Sequence, residues 1–255
     1  MLKWKLMLTT LPFVVAVTGL KAFLDFGMNF AGVVEFSDVG VVLTGAVFLT
    51  GFLLAGTMAD YKESEKLPGE VATTLEAIED MFVLAAMQKP AVEAGVLQRH
   101  LLTLTDAIKD WLLKKKTSPQ VFAAISAMSE AFAFLNQHGA GSTAGYALSP
   151  VDKLRKAISR IDVISRTGFL PPAYALLEVL LVMILTLMMV AKFKTPVAEF
   201  VIVPTVALLN IYMLRLIKDI DDPFDFNEDG SKRGGAEVDL FPIDEYRHRL
   251  AARIG

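Results

Sequence analysis

The sequence predicts an all-α integral membrane protein with four transmembrane helices and a large helical domain on the cytoplasmic side. Hydrophobic residues make up 54% of the 255-residue chain and the mean hydropathy is +0.49, which is more apolar than an ordinary soluble domain. The apolar residues are concentrated in four stretches, each near the roughly 20 residues that cross a bilayer as a helix. A long polar block separates the second stretch from the third.

The four predicted spans are Leu6–Phe26, Val39–Met58, Pro172–Val190 and Ala198–Ile217. The chain therefore divides into spans one and two (residues 1–58), the cytoplasmic helical domain (59–171), spans three and four (172–218), and an acidic tail with a final helix (219–255). Lys3 and Lys5 before the first apolar run are also typical of a signal peptide. That run is long and has no A-x-A cleavage site, so we favour an uncleaved first span.

The basic residues predict the orientation of the chain in the membrane. Lys3 and Lys5 precede the first span, and residues 59–171 contain thirteen Lys and Arg residues. The tail adds Lys232, Arg233, Arg247, Arg249 and Arg253. The loop at residues 27–38, between the first two spans, has no basic residue. The positive-inside rule therefore places both termini and the helical domain in the cytoplasm, with the spans in the cell (inner) membrane.

The polar block has the periodicity of helices. Apolar residues recur at helical spacing, and Pro90 and Pro119 mark boundaries. The predicted helices are Glu70–Ala86, Val92–Lys115, Pro119–Asn136 and Pro150–Arg166. The Gly-rich stretch Asn136–Gly145 lacks the G-x-x-x-x-G-K-[ST] pattern of a phosphate loop and follows a helix, so we predict a plain connector.

Nothing in the sequence favours an enzyme. There is no cysteine, and His100, His138 and His248 have no metal-site or triad spacing. No catalytic motif of the G-x-S-x-G or H-E-x-x-H kind occurs. The formal net charge of −3 and the lack of a basic stripe argue against a nucleic-acid partner.

Three segments resemble the bestrophin channels. The first segment is the end of the second span, which contains Gly51-Phe52 and leads to Lys66-Leu67-x-Gly69. The second is Ile158–Tyr174, which leads into the third span. The third follows the fourth span and contains Asp221-Asp222-Pro223-Phe224 and then Asp239-Leu240-x-Pro242-Ile243-Asp244. These segments occur in the family's order over nearly the whole chain. Two departures stand out. Tyr61 and Lys62 lie near the place of the family's tryptophan pair and arginine, and Asp225 replaces the glycine after Phe224.

The resemblance implies a homo-oligomeric ring in the lipid bilayer, a pentamer in that family. It implies passive conduction of small ions, mainly anions such as chloride, through a pore lined by the second span. Fold analogy alone does not give function. The alternative is a non-channel membrane sensor or scaffold whose cytoplasmic helices bind a partner. A secondary transporter fits poorly, because we find no inverted repeat and no paired intramembrane charges in the sequence.

Thr44, Phe48 and Phe52 are the candidate pore-lining residues. They occur at i, i+4 and i+8 in the second span and so share one helix face. In a ring of subunits, the aromatic side chains of Phe48 and Phe52 form an apolar constriction that gates by dewetting. Periodicity alone favours the alternative that they pack against other spans or lipid, whereas the resemblance favours the pore.

Glu178 is a candidate polar site within the third span. An ionisable side chain at membrane depth usually faces protein or water and marks function. Glu178 is also close to Pro172, where the span begins, so its carboxylate could instead extend to the interface. The sequence leaves both interpretations open.

The tail contains a candidate Ca²⁺ site. Asp225, Asn227 and Asp229 match the alternating oxygen ligands of the first half of an EF-hand loop, with Gly230 at the turn. Ala236 occupies the position of the bidentate glutamate. The alternative is a solvated acidic turn, and no other cofactor is predicted.

The basic-residue distribution gives a test of topology. Reporter domains fused after Lys116 and after Gly255 should both report a cytoplasmic location, since both positions lie on the Lys- and Arg-rich side. A fusion within residues 27–38 provides the matched control and should report the opposite side. An external signal from either of the first two fusions would show the orientation to be wrong.

Overall fold

A computed structural model describes residues 2–89, 91–167 and 171–254 of the chain. Nine α-helices lie in this part: α1 (Leu2–Ala22), α2 (Phe36–Ser64), α3 (Leu67–Gln88), α4 (Ala94–Leu112), α5 (Ser118–Gln137), α6 (Gly141–Arg166), α7 (Pro171–Val190), α8 (Pro196–Asp221) and α9 (Phe241–Ile254). A π-helical segment, Phe23–Gly27, continues α1. The two strands have two residues each, β1 (Val34–Glu35) and β2 (Ala191–Lys192). The predicted all-α class is confirmed.

The chain forms two compact units. The membrane unit comprises residues 1–61, 168–222 and 234–236, and the helical unit comprises residues 62–167, 223–233 and 237–255. The tail that the sequence suggested as a separate segment is therefore divided between the two units. The predicted boundary at Pro90 and residues 168–170 of the family-like segment before the third span lie outside the described residues.

Four helical stretches in the described part of the chain are long and apolar enough to cross a membrane. In the membrane unit, α8 packs against both α1 and α7. One buried cluster joins α1 to α8 through Val14, Ala207 and Ile211. A second joins α2, α7 and α8 through apolar residues that include Val39, Ala46, Ile184, Met188 and Val206. The four spans predicted from hydropathy are confirmed.

The two short strands join the ends of the two helical hairpins. They pair in parallel, with Val34 opposite Ala191 and Glu35 opposite Lys192. Gly32 precedes β1 with a φ of +73°, and a Cβ atom there would lie 2.8 Å from the Ala191 carbonyl oxygen. Only glycine combines that backbone conformation with so close an approach. No residue pattern in the sequence predicted this pairing.

The helical unit is built on amphipathic helices. The apolar positions of α4 at Leu97, Leu101, Leu104 and Ile108 are at most 1% exposed, and they follow the spacing of one helix face. Burying each such side chain contributes roughly 1.5–3 kcal/mol. α3 packs along α6, and α9 packs against α3 and α4. This arrangement places the final helix on the core rather than free in solution.

A buried carboxylate fixes α9. Glu79 of α3 is 1% exposed, and its oxygens lie 2.9 Å from Gln98 Nε2 and 2.8 Å from an Arg253 guanidinium nitrogen. Burial, together with the Glu79 charge, raises the pKa of Tyr246, whose hydroxyl donates to the Leu75 carbonyl at 3.3 Å. A buried charge is costly unless it is paired and hydrogen-bonded, so these contacts determine how α9 docks.

The connector prediction for Asn136–Gly145 is wrong from Gly141 onward. There α6 has already begun, and it runs through Pro150. Thr143, Ala144 and Ala147 are buried, so tertiary packing overrides the low helix propensity of the glycines. A Cβ atom on Gly141 would lie 2.6 Å from Asn136 Oδ1. A side chain at position 141 would therefore displace the Asn136 amide.

Candidate functional site

The three candidate pore residues lie on an uncovered face of α2. The side chains of Phe48 and Phe52 are 76% and 68% exposed in the single chain. Thr44 is exposed, and its hydroxyl donates to the Gly40 carbonyl at 2.8 Å. The part of the chain that the structure describes therefore leaves most of the surface of these two aromatic side chains uncovered.

The uncovered face of α2 contains glycines, whereas α7 and α8 contain none. Most of its residues are small or aromatic, and it also includes one aliphatic residue, Val41, which is 76% exposed: Val41, Thr44, Gly45, Phe48, Gly51, Phe52, Ala55 and Gly56. The exposed positions of α7 and α8 include the aliphatic residues Val179, Val182 and Val201. A Cβ atom on Gly45, Gly51 or Gly56 would meet nothing within 4 Å. Packing within the chain therefore does not require these glycines.

Lys21 forms a buried ionic cluster at the end of the first span. Its side chain is 4% exposed, and its Nζ lies 2.8 Å from Asp25 and 2.9 Å from Glu199. The same nitrogen donates to the carbonyl oxygens of Met189 and Ala191 at 3.3 and 3.4 Å. One ammonium thus connects α1, the π-helical segment, α8 and the residues around β2.

The Lys21 cluster was missed at the level of sequence. A cavity of about 260 Å³ lies beside it, lined by Lys21, Asp25 and Glu199 together with Asn29 and Phe193. The signal in the sequence was Lys21 inside an apolar run, with Asp25 four residues later. Residues at i and i+4 share one helix face. Glu199 belongs to the fourth span, and no local pattern connects it to Lys21.

Glu178 is paired. Its carboxylate lies 2.7 Å from Lys218 Nζ, and both side chains are about half exposed, at 54% and 49%. The Lys218 ammonium lies 5.6 Å from the centre of the Tyr174 ring. An exposed pair with a neighbouring tyrosine is typical of the membrane interface, and it favours the interfacial interpretation of Glu178.

The acidic loop is a closed turn with internal partners. Asp225 forms ion pairs with Lys114 and Arg233, and Asn227 Nδ2 donates to Ser231 Oγ at 2.9 Å. Hydrogen bonds from Ser231 hold the pKa of Asp229 below its usual value. Within the described ranges no three His, Cys, Asp or Glu side chains come together as a metal site. The Ca²⁺ site therefore stays a prediction.

The described geometry defines a four-span, all-α membrane protein, and comparison with solved structures identifies its fold. A bacterial bestrophin homologue from Klebsiella pneumoniae superposes with a TM-score of 0.80 at 12% identity, covering 98% of both chains. A point mutant of a bestrophin homologue from the same organism gives 0.75 at 14% identity, covering 100% of this chain and 99% of that one. No family model and no curated protein sequence matches the chain. The chain has the bestrophin fold over nearly its whole length.

The Lys21 cluster gives a stability prediction. Lys21→Met leaves Asp25 and Glu199 facing each other without a counter-ion, and breaking a buried pair in this way costs about 3 kcal/mol. We expect a lower midpoint of thermal unfolding in detergent. The matched control is the triple variant Lys21→Met, Asp25→Asn, Glu199→Gln, which leaves no uncompensated charge and should recover most of the loss. Equal destabilisation of both variants would show that packing, not charge, is responsible.

The acidic loop gives a calorimetric prediction. If Asp225, Asn227 and Asp229 bind Ca²⁺, titration of the purified protein releases or absorbs heat, and Asp225→Ala with Asp229→Ala abolishes that heat. Binding has to displace Lys114 from Asp225, so we expect weak affinity, near the roughly millimolar end of known Ca²⁺ sites. Glu130→Ala, at an exposed acid on α5, is the control. Absence of heat at millimolar Ca²⁺ would contradict the site.

Proposed function

We propose that the chain is one subunit of an ion channel that conducts small ions passively through a pore lined by α2. The observation that carries the proposal is the uncovered face of α2, with Phe48 and Phe52 exposed in a chain that has the bestrophin fold. In this proposal several copies form a closed ring, a pentamer by resemblance, in the inner membrane with both termini in the cytoplasm.

The composition of the α2 face supports assembly around a central path. Small residues allow helix backbones to approach closely in membranes, where no hydrophobic force drives helices together. The open surroundings of Gly45, Gly51 and Gly56 in the single chain leave room for such an approach by neighbouring copies. A face that only contacts lipid has no need of glycine, and the aliphatic face of α7 is an example.

The aromatic residues support a dry neck. Phe48 and Phe52 are one helical turn apart, so a ring of copies stacks two aromatic layers about 6 Å apart along the path. An apolar constriction of this kind closes by dewetting rather than by a specific bond. Phenyl rings have a positive edge, and edges that face the path favour anions such as chloride.

Truncation of the aromatic rings tests the neck. Phe48→Ala and Phe52→Ala should raise ion flux into liposomes, because removal of the rings lets water fill the constriction. A buried Phe→Ala typically costs about 3–5 kcal/mol, whereas a ring that faces the path loses few packing partners and should cost much less. Flux and thermal stability are therefore measured on the same preparations.

The control for this experiment lies on α7. Val179 and Val182 are each 64% exposed on an aliphatic face, so Val179→Ala and Val182→Ala should leave flux unchanged. Lost stability with unchanged flux per folded oligomer in the phenylalanine variants would refute the pore assignment.

A monomeric or dimeric mass in detergent would favour a sensor or scaffold instead.

A further inference from the structure

A groove in the helical unit is lined by charged side chains, and among those that the structure describes only Glu63 and Arg160 pair with each other. It has a volume of about 560 Å³ and lies between α3 and α6. Lys153, Lys156 and Arg160 of α6 line one wall, and Glu70 and Thr74 are on the other. The spacing i, i+3 and i+7 puts the three cations on one face of α6.

One end of the groove is closed by a fixed ion pair. The Arg160 guanidinium donates two hydrogen bonds to Glu63, at 2.8 and 2.6 Å, which is the geometry of a strong bidentate pair. These contacts hold the pKa of Glu63 below its usual value. Arg160 and Glu63 therefore satisfy each other and shape the groove.

The remaining charges of the groove are unpaired. Within the described residues, Lys153, Lys156 and Glu70 form no ion pair, although all three are exposed on its walls. Five other lysines of the helical unit reach carboxylates, namely Lys62, Lys109, Lys114, Lys116 and Lys232. Lys66, Lys89 and Lys115 form no ion pair within the described residues, and they do not line the groove. The groove thus presents two free ammonium groups opposite one free carboxylate.

The geometry points to a binding site for a small zwitterion that carries an anionic group and a primary ammonium. The anionic group lies between Lys153 and Lys156, and the ammonium donates to Glu70 and to the Thr74 hydroxyl. The Glu70 carboxylate repels a purely anionic ligand, and the two lysines repel a purely cationic one. Only a ligand with both charges has favourable contacts with both walls. The inference is independent of ion conduction.

Two sources supply this chemistry, a soluble zwitterion and a lipid headgroup that joins phosphate to a primary amine. The test uses phosphoethanolamine as the probe, titrated into the full chain in nanodiscs of phosphatidylglycerol. We expect it to bind at least about tenfold more tightly than phosphate or ethanolamine alone, as expected for the loss of one charged hydrogen-bonded contact.

Variants assign the binding to the two walls. Lys153→Ala with Lys156→Ala should weaken phosphoethanolamine binding by about tenfold or more. Glu70→Gln should lower its affinity to that of phosphate alone while leaving phosphate binding undiminished. The matched controls remove exposed charges outside the groove, Lys89→Ala with Lys115→Ala and Glu130→Gln, and should change nothing. Equal thermal midpoints for all variants confirm that the fold is intact.

Three results would overturn the inference: no probe binding, binding that the groove variants do not change, and equal affinity for phosphate and phosphoethanolamine. The last of these would define a simple anion site. Discs with phosphatidylethanolamine then distinguish the sources. A lipid headgroup in the groove lowers the apparent affinity of the soluble probe, whereas a soluble zwitterion as the occupant leaves that affinity unchanged.

Discussion

The membrane unit depends on a single buried ammonium. The Lys21 side chain has almost no access to water, and an isolated charge in an apolar environment is costly enough to prevent folding. Asp25 and Glu199 provide the counter-charge, and two carbonyl oxygens near β2 complete the coordination. Because these partners belong to separate elements, satisfying one nitrogen also brings the first span, the fourth span and the strand pair together.

The same requirement accounts for the irregular backbone near Lys21. The π-helical segment Phe23–Gly27 carries Asp25, and the strand pair brings Ala191 within 3.4 Å of the Lys21 nitrogen. Non-helical backbone at membrane depth is tolerated only where protein or water satisfies its polar groups. Here the Lys21 ammonium donates to the carbonyl oxygens of Met189 and Ala191. The same set of contacts therefore offsets both the free-energy cost of burying the Lys21 charge and that of leaving backbone carbonyl groups outside a helix.

The sequence predicted those features that repeat locally. Long apolar runs define the spans, and apolar residues at helical spacing define α3 to α5, because both patterns arise from the chain's own neighbours. The start of α6 was missed because burial of Ala144 and Ala147 depends on distant residues. The pairing of Lys21 with Glu199 was missed for the same reason. The face of α2 could be proposed from its own residue spacing, and its role as a pore stays a prediction.

Charge in the segment between the second and third spans bears on how a channel of this kind would select ions. Residues 59–171 hold thirteen acidic and thirteen basic side chains, so their net charge creates no field that favours one sign. On the proposed function, selectivity then depends on the contacts an ion makes in the narrowest part of the path. There the uncovered face of α2 offers aromatic edges and a threonine hydroxyl, which carry no formal charge and discriminate between ions by their dehydration cost. Substitutions in residues 59–171 that keep this balance should therefore leave selectivity unchanged, whereas those at Phe48 or Phe52 alter it.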